Sequence, residues 1–181
     1  PAVLLLERTH EGGKKILMSG GGRCNVLPSE LDPARYVTAS SAHTMKKMLL
    51  SWPLREQRRF FEETLGMPLA LEEETGKLFP VTNKARDVRD RLRALAERLG
   101  VEVRGDAWVT GLESEDGTWR VLLDGGREVH AARVIIATGG LSVPATGSDG
   151  TGIDIVRPLG HTIHDLYPAL TPLTATPHRY A

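Results

Sequence analysis

A glycine-rich run, Ser19-Gly20-Gly21-Gly22-Arg23-Cys24-Asn25, follows the lysines Lys14 and Lys15 and an apolar stretch that ends in Glu7. Consecutive glycines let a backbone approach a phosphate with no side chain in the way. The loop's N–H groups and the Ser19 hydroxyl can form a nest for phosphate oxygens. Arg23 or Lys15 would neutralise the charge, and Arg23 offers bidentate geometry. Glu7, closing a strand, would accept hydrogen bonds from ribose hydroxyls. Together these groups predict a nucleotide site. Each also has a plainer reading: Glu7 as a solvated strand end, and Arg23 as the partner of a surface acid in a flexible turn.

A second signal lies further along. Ala137-Thr138-Gly139-Gly140 closes another apolar run, at the carboxyl end of a strand, where open α/β sheets place ligands. Two glycines after a small residue and a hydroxyl keep a backbone close to something flat or large. Other reactive types stand alone. Cys24 has no second cysteine to pair with and reads as packing against the loop before it reads as a redox group. His161, after Gly160, reads as a cap on the preceding carbonyls, with proton donation or substrate contact as the alternative. His164 and Asp165 lack the spacing of a metal ligand set. Trp52, Trp108 and Trp119 read as core or strand-face aromatics, without the basic interleaving of a nucleic-acid surface.

The elements that must carry these groups follow from pattern. Val3 to Glu7 is continuously apolar, which predicts a parallel strand covered on both faces. Ala42 to Leu65 is helical in period but broken at Trp52-Pro53, giving two helices stopped by Gly66. Leu69 to Val81 reads as strand fragments around a turn, with Glu72-Glu73-Glu74 in solvent. A helix runs from a Thr82 or Asn83 N-cap to Leu99, with Val88, Leu92, Leu95 and Leu99 on its apolar face and Gly100 after it. Val101–Arg104, Trp108–Glu115, Thr118–Leu123 and Glu128–His130 then predict an antiparallel meander. Val134-Ile135-Ile136-Ala137 predicts a buried strand, and Gly147 to Gly152 opens a short helix that stops near Pro158-Leu159-Gly160.

Bulk composition excludes several classes. The 23 acidic and 23 basic residues balance, so no global field points to nucleic acid or an anionic membrane. No apolar run approaches the roughly 20 residues that span a bilayer. A single cysteine fits a reducing cytoplasm. The first residue is Pro1, already at a strand, and both ends read as cut.

On these motifs the chain resembles the BaiN/RdsA-like NAD(P)/FAD-dependent oxidoreductases, the aminoacetone-oxidase-type flavoproteins. The resemblance is carried by Glu7, by Lys14 to Asn25, by Lys77-Leu78-Phe79-Pro80 and by Ala137-Thr138-Gly139-Gly140-Leu141-Ser142-Val143-Pro144. Gly147 to Gly152, Leu159-Gly160-His161-Thr162 and Pro168-Ala169-Leu170 add to it. It implies FAD on a glutathione-reductase-like Rossmann domain, reduced by NAD(P)H or by substrate. By position it implies Glu7 on the adenosine ribose, Ser19 to Asn25 along the pyrophosphate towards the isoalloxazine, and Val109 holding adenine through its backbone. Thr138 and Gly139, within Ala137 to Gly140, would pass near the phosphate-ribose side.

The chain departs from the family in lacking the first strand with its G-x-G-x-x-G and the carboxy-terminal segment. Asn25-Val26-Leu27-Pro28 stands where the family shows N-V-T-N, and Pro158 interrupts the last helix. The expectation is therefore an α/β protein: a Rossmann-like FAD/NAD(P)-binding domain with a parallel sheet and an inserted antiparallel meander, truncated at both ends. Residues 1–170 form that partial domain, and residues 171–181 begin an inserted substrate domain. The expected activity is an FAD-dependent oxidoreductase acting on a small molecule, with neither nucleic acid nor membrane as partner. The alternatives are an S-adenosylmethionine-binding Rossmann methyltransferase and a non-catalytic flavoprotein fragment.

Overall fold

The computed structural model describes residues 2–38 and 41–167, in two compact units that divide after Ala107. Pro168-Ala169-Leu170 and the expected boundary at residue 171 lie outside the described residues.

In the first unit, β1 (Val3–Leu6) pairs in parallel with β5 (Val101–Arg104), from Val3 opposite Val101 to Leu6 opposite Arg104. The parallel pairing agrees with the apolar run, but cover on both faces does not. Val3 and Leu5 are exposed while Leu4 and Leu6 are half-buried. A sheet of two strands among the described residues has one covered face, so neighbouring elements impose the alternation that the sequence lacks. Because β5 belongs here, the expected meander loses its first strand.

Between them lie α1 (Lys14–Met18), a short 3₁₀ turn over Ser19–Gly22, β2 (Leu27–Pro28), α2 (Ala42–Leu50) and α3 (Leu54–Arg59). The chain breaks at Trp52-Pro53 as expected. α3 then runs into a π turn over Phe60–Thr64, which Leu65 N–H closes onto Phe60 O at 3.0 Å. The hairpin β3 (Leu69–Glu72) and β4 (Lys77–Pro80) takes β2 on its other edge, giving the order β2-β4-β3.

Against this small sheet packs α4 (Ala85–Arg98), which buries Ala85, Val88 and Leu95. Its N-cap is Lys84, without a side-chain cap. Asn83 is instead a left-handed turn residue whose N–H reaches Pro80 O at 2.8 Å. Leu99, expected on the apolar face, is 73% exposed. It is the residue at which the helix ends, so its side chain leaves the helical stripe.

The second unit is built on β6 (Val109–Glu115), β7 (Thr118–Leu123) and β8 (Glu128–Ala131), a three-stranded antiparallel meander. Asp116 and Gly117 both take positive φ at the first turn, the backbone a tight hairpin needs. Leu112, Val121 and Leu123 form its buried face. On the exposed side Arg120 is paired with Glu113 and Glu128.

The strand expected over Val134 to Ala137 does not form. Residues 133–140 make no ladder among the described residues, and Ile135 is 91% exposed. A strand needs a neighbour for its N–H and C=O groups, and the described residues supply none here. The short helix is α5 (Thr151–Val156), followed by a 3₁₀ turn over Arg157–Leu159.

Candidate nucleotide site

Glu7 follows directly on β1. Its backbone N–H continues the parallel ladder to Arg104 O at 2.9 Å, and its carbonyl accepts Ala107 N–H at 3.0 Å. The residue is therefore fixed at the carboxyl edge of both parallel strands. One carboxylate oxygen, Oε1, accepts the N–H and the hydroxyl of Thr9, each at 2.8 Å. The other, Oε2, has no hydrogen-bond partner among the described residues. The space over it is kept by Gly12, where a Cβ would stand 3.1 Å from Glu7 Cγ and 3.5 Å from Oε2. An anchored carboxylate with one oxygen unpartnered among the described residues is an acceptor for the hydroxyl hydrogens of a diol. Thr9 was missed from sequence; its signal is the two-residue spacing from Glu7, which suits a local turn bond.

Beside Glu7 the turn after β5 closes on the turn after β1. Asp106 N–H reaches Thr9 O at 3.4 Å, and His10 Nδ1 lies 2.8 Å from Asp106 Oδ2. The Asp106 carboxylate raises the His10 imidazole above its usual range. An open cleft of about 440 Å³ at this edge is lined by His10, Asp106, Glu11, Arg89 and Arg93. Its charges are matched within the protein. Arg89 bridges Glu11 and Asp90, at 2.7 Å each, and the Arg89 guanidinium holds the Glu11 carboxyl below its usual range.

The glycine loop is anchored at both ends. Gly20, Gly21 and Gly22 all take positive φ, and so does Cys24, a rare conformation for a side-chain-bearing residue. Two of its backbone donors are engaged inside the loop: Cys24 N–H bonds Ser19 O at 2.9 Å, and Arg23 N–H bonds Gly20 O at 3.4 Å. Gly21 is the tip, exposed, with room beside it for an approaching group. Asn25 and Lys15 are exposed, and Ser19 is half-buried. Cys24 is 6% exposed in the hydrophobic core, and burial pushes its thiol up, away from the reactive thiolate.

Arg23 is engaged within the protein. Its Nη1 pairs with Glu72 Oε1 at 2.8 Å, and its guanidinium stacks 4.1 Å over the Phe79 ring. Glu72 is thus a strand residue with a partner, and not part of a solvated turn. Hydrogen bonds from Thr75 and Arg23 hold its carboxyl below the usual range. Sequence gave no means of pairing residues this far apart.

In the second unit the Ala137 to Gly140 stretch lies against the loop that opens α5. A Cβ at Gly152 would collide with Thr138 Oγ1 and stand 3.2 Å from Ile136 Cγ2. Beyond Gly139 the chain folds back, with Ser142 N–H on Ser148 O at 3.0 Å and Leu141 bridged to Asp149. Thr138, Gly139 and the Gly147 to Gly152 loop are therefore one local structure. Val109 opens β6 opposite Leu123. His161 is exposed, and the turn before it is closed by Gly160 N–H on Arg157 O, not by the imidazole. No group of three or more potential metal ligands occurs among the described residues, and none of their helices is long and apolar enough to cross a membrane.

A parallel strand pair with a carboxylate at its edge, a glycine loop and antiparallel sheets define a Rossmann-like α/β nucleotide-binding domain. The chain belongs to the family described as the HI0933-like protein Rossmann domain, whose model matches residues 1–171. It is 31% identical to the 3-dehydro-bile acid delta(4,6)-reductase of Clostridium scindens over 179 residues, covering 99% of this chain and 42% of that protein. It is 32% identical to the ribosomal RNA dihydrouridine synthase of Escherichia coli over 173 residues, covering 95% of this chain and 42% of that protein. The enzyme of the same name from Haemophilus influenzae is 27% identical over 176 residues, covering 96% of this chain and 43% of that protein. The chain thus spans about two-fifths of the length of these relatives.

Proposed function

We propose that this chain supplies the ribose- and loop-side walls of an FAD site in a reductase that takes its electrons from NAD(P)H. The observation that carries the reading is Glu7: a carboxylate fixed by Thr9 through one oxygen, with the other open, at the carboxyl edge of a parallel strand. The residues fit the cofactor. The lack of a side chain at Gly12 keeps a methyl group off the Glu7 carboxylate, and Gly21 carries no neighbour within 4 Å of its Cβ position, so a diphosphate or ring can approach the tip. Glu7 would hold the ribose, and the Ser19 to Asn25 loop would run past the diphosphate and ring by its backbone, with Lys15 near by. Val109 would face adenine, and Ala137, Thr138, Gly139 and Gly140 would pass the phosphate-ribose side. Bound FAD would supply hydride transfer; the protein's part is to bind and orient it.

A small molecule is the proposed substrate. The relatives' names describe a reductase of a bile acid and a synthase acting on ribosomal RNA. The even balance of charge in this chain favours the former, since RNA backbones are held by cationic excess. Neither nucleic acid nor membrane is a proposed partner, and the proposed site of action is the cytoplasm. The methyltransferase reading is disfavoured by the meander and by the family match.

Protein purified from its whole reading frame is expected to be yellow, with flavin absorbance at about 450 nm that NADH or NADPH bleaches. Colourless protein that also fails to take up FAD would sink the proposal. Glu7→Gln replaces a charged acceptor by a neutral one, and FAD affinity should fall by about tenfold. Titration of apoprotein with FAD measures it, and unchanged affinity would mean the ribose lies elsewhere.

A further inference from the structure

Arg23 is one of the two cations, with Lys15, that the sequence offers to a cofactor phosphate, yet every described contact of its guanidinium is internal. Nε donates to Gly20 O at 3.3 Å, inside the glycine loop itself. Nη1 donates to Glu72 Oε1 at 2.8 Å, across to the end of β3. The flat face lies 4.1 Å over Phe79, a β4 residue only 4% exposed. Glu72 is itself tied down, with Oε2 accepting the Thr75 hydroxyl at 2.7 Å at the start of the hairpin turn. The same Phe79 ring backs the loop from below, because a Cβ on Gly20 would sit 2.7 Å from its Cε1. Loop, arginine, ring and carboxylate form one closed unit, and the β3–β4 hairpin is its rigid half.

We propose that Glu72 and Phe79 are positioning residues that staple the Ser19–Asn25 loop to the β3–β4 hairpin through Arg23, so that the Arg23 charge serves the loop and not the cofactor's phosphates. Planar stacking with a bidentate-capable fork is the geometry for which arginine is suited and lysine is not. A carboxylate held 2.8 Å from the guanidinium would also repel an incoming diphosphate, unless Arg23 were already committed to it. The consequence for flavin binding rests on the FAD reading above; the ordering of the loop does not.

Glu72→Gln separates the two roles by sign. If Arg23 were a phosphate ligand, removing the competing carboxylate would free it and leave FAD affinity equal or higher. If Arg23 is a staple, the loop loosens and FAD affinity falls, by about threefold to tenfold. A second reading needs no flavin: trypsin should cut after Arg23 in the full-chain apoprotein about ten times faster in Glu72→Gln than in the parent, as expected when a tethered loop is released. Cleavage elsewhere, such as after Arg104, should keep its rate. FAD affinity at or above the parent's, or unchanged cleavage after Arg23, overturns the staple. Should the parent take up no FAD, the flavin reading falls, and cleavage alone decides the staple.

Discussion

Gly20→Ala is expected to lower the thermal midpoint by roughly 5–15 °C, at about 2–4 °C per kcal/mol for a chain of this size. Two independent costs add. Gly20 holds a φ of 56°, a left-handed conformation that costs an L-residue about 1–2 kcal/mol. Its new methyl would also stand 2.7 Å from Phe79 Cε1 and 2.9 Å from the backbone nitrogen of Asn25. Phe79 is buried and Asn25 N is main chain, so neither can step aside; forced overpacking of this kind costs about 1–3 kcal/mol. Gly21→Ala is the internal control. Gly21 shares the left-handed backbone, at φ 67°, but a Cβ there meets nothing within 4 Å. Its loss of stability should stay near 1 kcal/mol, the strain alone. Equal melting of the two variants would show that packing against Phe79 does not constrain the loop. Under the FAD reading, Gly21→Ala should still weaken flavin binding, because its methyl enters the space a ligand would use.

Gly105→Ala is expected to be comparably damaging for a different reason. A Cβ at this position would run into the carbonyl of His10, standing 3.1 Å from His10 C and 3.2 Å from Thr9 O. All of these are backbone atoms, so no rotamer relieves the contact and the two turns must separate. Overpacking alone predicts a loss of about 1–3 kcal/mol. Separation would strain the Ala107 N–H bond to Glu7 O and the Asp106 N–H bond to Thr9 O, which hold Glu7 at the strand edge. Denaturant melts should show the lost stability, and FAD titration should show weaker binding. A variant that melts with the parent would mean that the turns approach less closely than the structure has them.

The legible parts of this fold were those set by local chemistry. Pro53 ended one helix and began another, the periodicity of Val88, Leu92 and Leu95 placed α4, and Asp116-Gly117 placed a hairpin. Sequence pattern and structure part where a strand's partner decides its nature. Val101–Arg104 looks like the first of a series of short strands, but it pairs with a strand at the other end of its unit. Val134-Ile135-Ile136 has the composition of a buried strand without a described neighbour to bury it. The glycine loop was legible as a loop because three adjacent glycines have few other uses. Its anchor was not: Glu72 sat in an acidic run that looked solvated, and Phe79 in a short apolar stretch with no sign of what it faced. Thr9, His10 and Asp106 were missed for the same reason, since turns after two distant strands meet only once the parallel pair has formed.

That parallel pair has a kinetic side. About 100 residues separate Val3 from its partner Val101, and closing so long a loop costs about 4 kcal/mol of chain entropy before any contact rewards it. The β3–β4 hairpin and α4 close over short stretches and carry no such penalty. Folding should therefore assemble the hairpin that carries the glycine loop early, and set Glu7 in place late. Pulse-labelled amide exchange would see this as delayed protection of Glu7 N–H, the donor to Arg104 O, relative to the amides of β4. During that interval the chain would hold a formed loop without its carboxylate partner, a half-built site exposed to unfolding from one end.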